Sequence, residues 1–264
     1  MHTATRNKKI VLCIITFLVI ALYKAKTIHK LSIGYVLNKY QIKMRDRECL
    51  FYPAKNPKRL LIFFTGLKKN TYIMWSWFWR EQEDWDDTAY LFLKDDDFCW
   101  YLGNSQQSFV EDYSAIINTF MERCKLSKEK VFTIGGSMGG YAAILYATRL
   151  GLKAAIAINP QVNKASKAIR GFDDIGNKWQ ELEQVVAASQ TVPDISLIYS
   201  YCPRDQAAGN ALLDVIKQKG SLVILRRHDS DLHTGGANLT KEFIETEIDY
   251  LEKQDRYKTT IRAV

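Results

Sequence analysis

From residue 48 onward, short apolar runs of strand length alternate with longer stretches of helical period, and this alternation restricts the fold more than any other feature. Such a pattern builds a mostly parallel sheet with helices on both faces. Cys49 to Tyr52 and Arg59 to Thr65 read as two adjacent strands joined by the turn Pro53-Ala54-Lys55-Asn56-Pro57, with Ala89 to Leu93 the next strand. Between Ser105 and Cys124, apolar residues such as Tyr113, Ile116, Ile117 and Phe120 recur at helical spacing, so one amphipathic helix is expected there. Lys130 to Ile134 is a strand and Met138 to Leu150 a helix ended by Gly151. Lys153 to Ile158 is a strand stopped by Asn159-Pro160. A strand over Ile195 to Tyr201, a helix over Asn210 to Lys219, a strand over Ser221 to Leu225 and a last helix over Thr240 to Lys253 continue the alternation. An apolar share of 47% over 264 residues supports a sizeable core and excludes a disordered chain.

Charge separates the two ends of the chain. Residues 1–59 hold 13 Lys/Arg against Asp46 and Glu48, a net of +11, whereas the rest carries 24 Lys/Arg and 27 Asp/Glu, a net of −3. The basic character therefore belongs to an N-terminal arm, residues 1–47, suited to anionic lipid or another polyanion. No zinc spacing or RNA-binding string accompanies it, so neither nucleic acid nor a metal is expected as a partner. Within the arm, Ile10 to Tyr23 is an uncharged run of fourteen residues between Lys8-Lys9 and Lys24. As a helix it would reach about 21 Å, short of a bilayer core of about 30 Å. It fits a short anchor with snorkelling lysines, the apolar region of a signal peptide, or a helix lying on a membrane or on its own domain. If it spans, the lysine count on its two sides favours a cytoplasmic main domain at the inner face of the membrane. Five scattered cysteines without a C-x-x-C pair read as reduced thiols, which agrees with a cytoplasmic location.

Chemistry is concentrated at Gly135-Gly136-Ser137-Met138-Gly139-Gly140, a G-x-S-x-G string between a strand and a helix. A serine on so sharp a turn is exposed to substrate, and only small neighbours let the backbone pass close to strand and helix. The alternative is a glycine-rich turn that binds phosphate or merely packs. A serine nucleophile needs a base to take its proton and an acid to orient that base. His2 and His29 lie in the arm, leaving His228 and His233, both after the last expected strand. A base that swings over the serine from a loop favours His233. Asp205 follows the strand Ile195 to Tyr201 and completes the chain order Ser, Asp, His, with Asp229 and Asp231 as rivals beside the histidines. The oxyanion donors expected are the Met138 N–H and, from the loop opened by Thr65-Gly66, the Leu67 N–H, with Lys68 as the neighbouring choice. Trp75 and Trp77, with Trp79, read either as an apolar or sugar-stacking wall above the serine or as core. The stretch 161–193 is largely polar, with Phe172 and Trp179 as its large apolar anchors. It sits where a lid would be inserted, or where an ordinary crossover helix with a long loop would lie.

The string Ile134 to Ala143, followed by Ala157-Ile158-Asn159-Pro160-Gln161, resembles small bacterial α/β-hydrolases found with surface-polysaccharide genes. It is also similar to the α/β-hydrolase part of the accessory secretion protein Asp-two. The similarity covers residues 48–253 and implies an α/β-hydrolase domain over 48–264. It further implies acyl transfer through a Ser137 acyl-enzyme to water or a sugar hydroxyl, without a cofactor. The substrate expected is a glycan ester or another small ester. A lipase or thioesterase at the membrane surface, and a non-catalytic scaffold of the same fold, are the other readings.

Overall fold

A computed structural model of the chain describes residues 33–78, 87–162, 179–199, 203–219, 221–227, 239–254 and 262–263. The chain divides into two compact units, Met1–Gln41 and Ile42–Val264. The described part of the first holds one helix, α1 (Ile33–Tyr40). The apolar run 10–23 lies outside the described residues, and among those no helix is long and apolar enough to cross a membrane.

The second unit is built on a nine-stranded sheet of order β1-β2-β4-β3-β5-β6-β7-β8-β9. Its strands are β1 (Gln41–Met44), β2 (Arg47–Tyr52), β3 (Arg59–Phe64), β4 (Thr88–Leu93), β5 (Val131–Gly136), β6 (Ala154–Ile158), β7 (Asp194–Tyr199), β8 (Val223–Arg227) and β9 (Arg262–Ala263). β3 to β9 run parallel, and β2 lies antiparallel on β4, with Cys49 opposite Leu93. The apolar runs read from the sequence are all strands, but β2 and β3 are not neighbours: β4 lies between them. Both edges of β3 are taken by parallel partners, β4 and β5. The link 53–58 can stretch to about 20 Å, ample to step over one strand to a position about 10 Å away.

Among the described residues six helices accompany these strands: α2 (Trp75–Phe78), α3 (Val110–Cys124), α4 (Met138–Leu150), α5 (Leu182–Ala188), α6 (Pro203–Gln218) and α7 (Lys241–Glu252). α3 starts at Val110, later than its periodicity suggested, because the preceding residues are held otherwise. The Asn104 carboxamide oxygen accepts the Gln106 and Gln107 N–H groups, both at 3.0 Å, and Gly103 bridges to Ser108. α4 has the expected bounds, closed by Gly151 at φ 64° in the left-handed region. α6 opens at Pro203 rather than Asn210, since proline at the first helical position already has helical φ and lacks an N–H the helix would leave unbonded. The described part of the stretch 161–193 forms the crossover helix α5, which buries Leu182 and Val186.

The middle strands β4, β6 and β7 are buried along their whole length and mostly apolar. Lys153 and Asp194 pair within this interior at the entry ends of β6 and β7, at 3.0 Å and nearly devoid of solvent contact. The Lys153 ammonium also donates to the Gln254 carbonyl at 2.6 Å. Removing one member of such a pair strands the other charge in a low-dielectric interior. Lys153→Ala is therefore expected to destabilise the fold by about 3–5 kcal/mol, and the double variant Lys153→Met/Asp194→Leu to recover most of that loss. Urea denaturation of the three proteins measures both effects.

Candidate active site

β5 ends on Gly136 and α4 begins at Met138, which leaves Ser137 alone to reverse the chain. It does so at φ 55° and ψ −118°, a conformation that L-residues rarely adopt. Strain of this kind costs about 1–3 kcal/mol and persists only where the surroundings impose it. Here the Ser137 N–H donates to the Ile158 carbonyl at 2.8 Å, and the Ser137 carbonyl accepts the Tyr141 N–H at 3.1 Å. The Thr133 hydroxyl donates to the Ala143 carbonyl at 2.8 Å and ties the helix to the strand before the turn. The flanking glycines are steric requirements. A methyl group on Gly135 would collide with the Gly139 carbonyl, and one on Gly139 with the Phe64 carbonyl, whereas one on Gly136 would meet nothing closer than 3.8 Å.

The loop after β3 closes against this turn. A methyl on Gly66 would stand 3.0 Å from the Gly136 carbonyl oxygen and 3.9 Å from Ser137 Cβ, so the loop backbone lies close to the elbow. The Lys68 N–H donates back to the Gly66 carbonyl at 2.7 Å, which occupies one of the two donors considered for this loop and not the Leu67 N–H. Buried Thr65 draws the loop shut: its hydroxyl accepts the Ile73 N–H at 3.1 Å and donates to the Thr71 carbonyl at 3.4 Å. The Met138 N–H sits in the first turn of α4, where a helix has no internal acceptor and its dipole favours negative charge.

A cavity of about 670 Å³ opens at this junction. It is lined by Gly136, Ser137 and Ile158 together with Thr65 to Lys68 of the loop after β3 and the run Thr71 to Trp77. Trp75 and Trp77 both line it, with Tyr72 and Met74, which the tryptophan pattern had overshadowed in the same run of residues. Lys68 is exposed at the cavity and brings a positive charge to it.

Gly136 pairs with Ile158, Ile158 with Ile198, and Ile198 with Arg226, so the carboxyl ends of β5 to β8 are level. Asp205 lies in the first turn of α6, the next described element after β7. His228 follows Arg227, the last residue of β8, and both His228 and His233 fall between β8 and α7, outside the described residues, as does Trp79. Among the described residues no cluster of metal-ligating side chains occurs.

Next to the loop after β3 is a second strained segment, 95–101, in which Phe98, Trp100 and Tyr101 all have positive φ. Asp95 organises it by accepting the Tyr101 N–H at 2.9 Å and the Asp97 N–H at 3.3 Å. Burial raises the Asp95 carboxyl to about 6, and those two N–H bonds oppose the rise.

No family model and no curated protein sequence matches the chain. Solved structures do. The capsule O-acetyltransferase of Neisseria meningitidis serogroup A superposes with a TM-score of 0.63 at 15% identity, over 81% of this chain and 94% of that one. The fluorophosphonate-binding serine hydrolase FphF of Staphylococcus aureus superposes with a TM-score of 0.58 at 15% identity, over 81% and 97%. The glycosylation-associated Gap123 complex of Streptococcus agalactiae superposes with a TM-score of 0.61 at 16% identity, over 83% of this chain and 47% of that one. The chain has the α/β-hydrolase fold. Within that fold Ser137 makes a positive-φ turn between β5 and α4, and the loop after β3 lies beside it.

The unequal room around the elbow glycines gives a direct test. Gly139→Ala must displace the Phe64 backbone or the helix and is expected to cost about 1–3 kcal/mol or more, while Gly136→Ala should stay within about 0.5 kcal/mol of the parent. Equal denaturation midpoints for the two variants would reject the packing described.

Proposed function

We propose that the chain is a serine hydrolase or acyltransferase that works through a Ser137 acyl-enzyme. In this mechanism His233 takes the Ser137 proton as the hydroxyl oxygen attacks an ester carbonyl, and Asp205 holds the imidazole in the productive tautomer. The Met138 and Leu67 N–H groups bind the tetrahedral oxyanion. The base then returns the proton to the leaving alcohol. A second acceptor, water or a sugar hydroxyl, takes the acyl group by the reverse path, so atoms and protons balance without a cofactor. The observation that carries this reading is Ser137 at φ 55°, lining the same cavity as the loop after β3.

Trp75 and Trp77 are the proposed substrate wall, suited to an apolar acyl group or the face of a sugar ring. A glycan O-acyl ester is the preferred substrate class. In support, the fold is shared with a capsule O-acetyltransferase and with a glycosylation-associated complex. A lipase or thioesterase reading is favoured by one observation, the apolar run of Leu67, Met74, Trp75, Trp77 and Ile158 along the cavity. Activity that rises with acyl-chain length would select it over an acetyl-ester preference.

Ser137→Ala is expected to abolish labelling by a fluorophosphonate while leaving the folding transition unchanged. His233→Ala should lower kcat by about 10³-fold or more, and His228→Ala should cost little. The opposite ranking of the histidines would move the base to His228, and a parent protein that never labels would leave a scaffold.

The arm is proposed to hold the hydrolase at the inner face of the membrane, by insertion of residues 10–23 and attraction of the flanking lysines to anionic lipid. Deleting residues 1–30 should release an active soluble enzyme, and high salt alone should release the full chain only in part, because salt screens charge but not apolar insertion. Fractionation of both forms at low and high salt, with an ester assay on each fraction, measures this. A full chain found entirely in the soluble fraction would reject it.

A further inference from the structure

We propose that Tyr101 is a positioning residue for the oxyanion hole, a brace that fixes the loop after β3 against the nucleophile helix. The proposal rests on the serine-hydrolase reading of Ser137. The two oxyanion donors of that reading belong to separate parts of the chain, Leu67 to the loop and Met138 to the start of α4, and a developing oxyanion needs both at once. Their separation is set by whatever ties loop to helix. Tyr101 makes both ties. Its hydroxyl donates to the Thr65 carbonyl at 2.9 Å, two residues before Leu67, with the Leu93 carbonyl as a second acceptor at 3.2 Å. Its own carbonyl accepts the hydroxyl of Tyr146, a residue of α4, at 2.7 Å.

The brace is buried and held from three sides. Tyr101 and Tyr146 have no solvent exposure, so neither bond competes with water. Tyr101 stands at φ 61°, a conformation it keeps while its N–H is bound by Asp95 and its ring packs edge-on to Phe64 and Tyr113, at 5.1 and 4.9 Å. A fold that needed only an aromatic ring here would be served by phenylalanine. The hydroxyl has the separate task of holding the carbonyl that precedes Gly66, the residue at which even an added methyl would come within 3.0 Å of the elbow.

Tyr101→Phe keeps the ring contacts and removes the tie to Thr65. The expected result is a fall of about 10- to 100-fold in kcat and in the rate of fluorophosphonate labelling, since a small misplacement of an oxyanion donor acts on the tetrahedral state. KM for a small ester should change by less than about twofold, because the substrate wall is untouched. Tyr146→Phe should act in the same sense, and the double variant should lose little beyond Tyr101→Phe, as expected for residues acting in series.

Hydrogen exchange at the Gly66 and Leu67 amides should speed up in Tyr101→Phe, and this readout is independent of catalysis. A parent protein that does not label rejects the serine-hydrolase reading, while the exchange measurement still decides whether Tyr101 holds the loop. Unchanged exchange and unchanged labelling overturn the proposal. So does a loss of kcat accompanied by an equal rise in KM and a collapsed melting transition, which would make the tyrosine a general core residue.

Discussion

Helix α4 lies on the sheet with backbone against backbone, and the rest of the site depends on that contact. Gly139 has no room for a side chain because the Phe64 carbonyl occupies the space, and Gly135 has none because of the Gly139 carbonyl. This approach brings the start of the helix over the carboxyl ends of β5 and β3, so that a single residue, Ser137, must make the whole reversal at positive φ. Strain at that residue is offset by bonds on both sides of it, to Ile158 and from Tyr141. A helix standing a few ångströms farther off would relax the serine and separate it from the loop that Gly66 begins.

A second layer of interactions holds the loop itself. Thr65 ties the ends of the loop together through its hydroxyl, and Tyr101 ties Thr65 to the interior. Phe64, Tyr101, Tyr113 and Tyr146 pack ring to ring, and three of the four carry a hydroxyl bonded to a backbone carbonyl. Each of these three buried hydroxyls is thus satisfied, as an apolar interior requires. The core beneath the candidate site is in this sense a polar frame embedded in an aromatic one, and it fixes backbone positions more sharply than apolar packing alone.

Strands and helices were legible wherever local composition decided them. β6 is apolar throughout and β4 is apolar from Ala89 to Leu93, and the bounds of α4 could be read from Met138 and Gly151 alone. The order of the strands was not legible. Cys49 to Tyr52 and Arg59 to Thr65 invited a simple neighbouring pair, and only pairing with a third strand, β4, separates them. Asp205 could be put after β7 by counting, but its place in the first turn of α6 follows from Pro203, whose helix-starting preference was missed.

What the sequence by itself determined is the chemistry on offer and its local setting. The serine stands between small residues at a strand-to-helix junction, donors are available in the Thr65 to Lys68 loop, and the aromatic run from Tyr72 to Trp77 follows soon after. Those features are local, and local sterics and periodicity suffice to read them. Tertiary structure alone decided that these segments meet around one cavity, that the Lys68 N–H is occupied while Lys68 itself stands exposed, and that Tyr101 reaches the Thr65 carbonyl across 36 residues of chain. A hydrogen bond to a backbone carbonyl leaves no mark in the sequence, since every residue carries that acceptor. Only the folded sheet selects the one within reach.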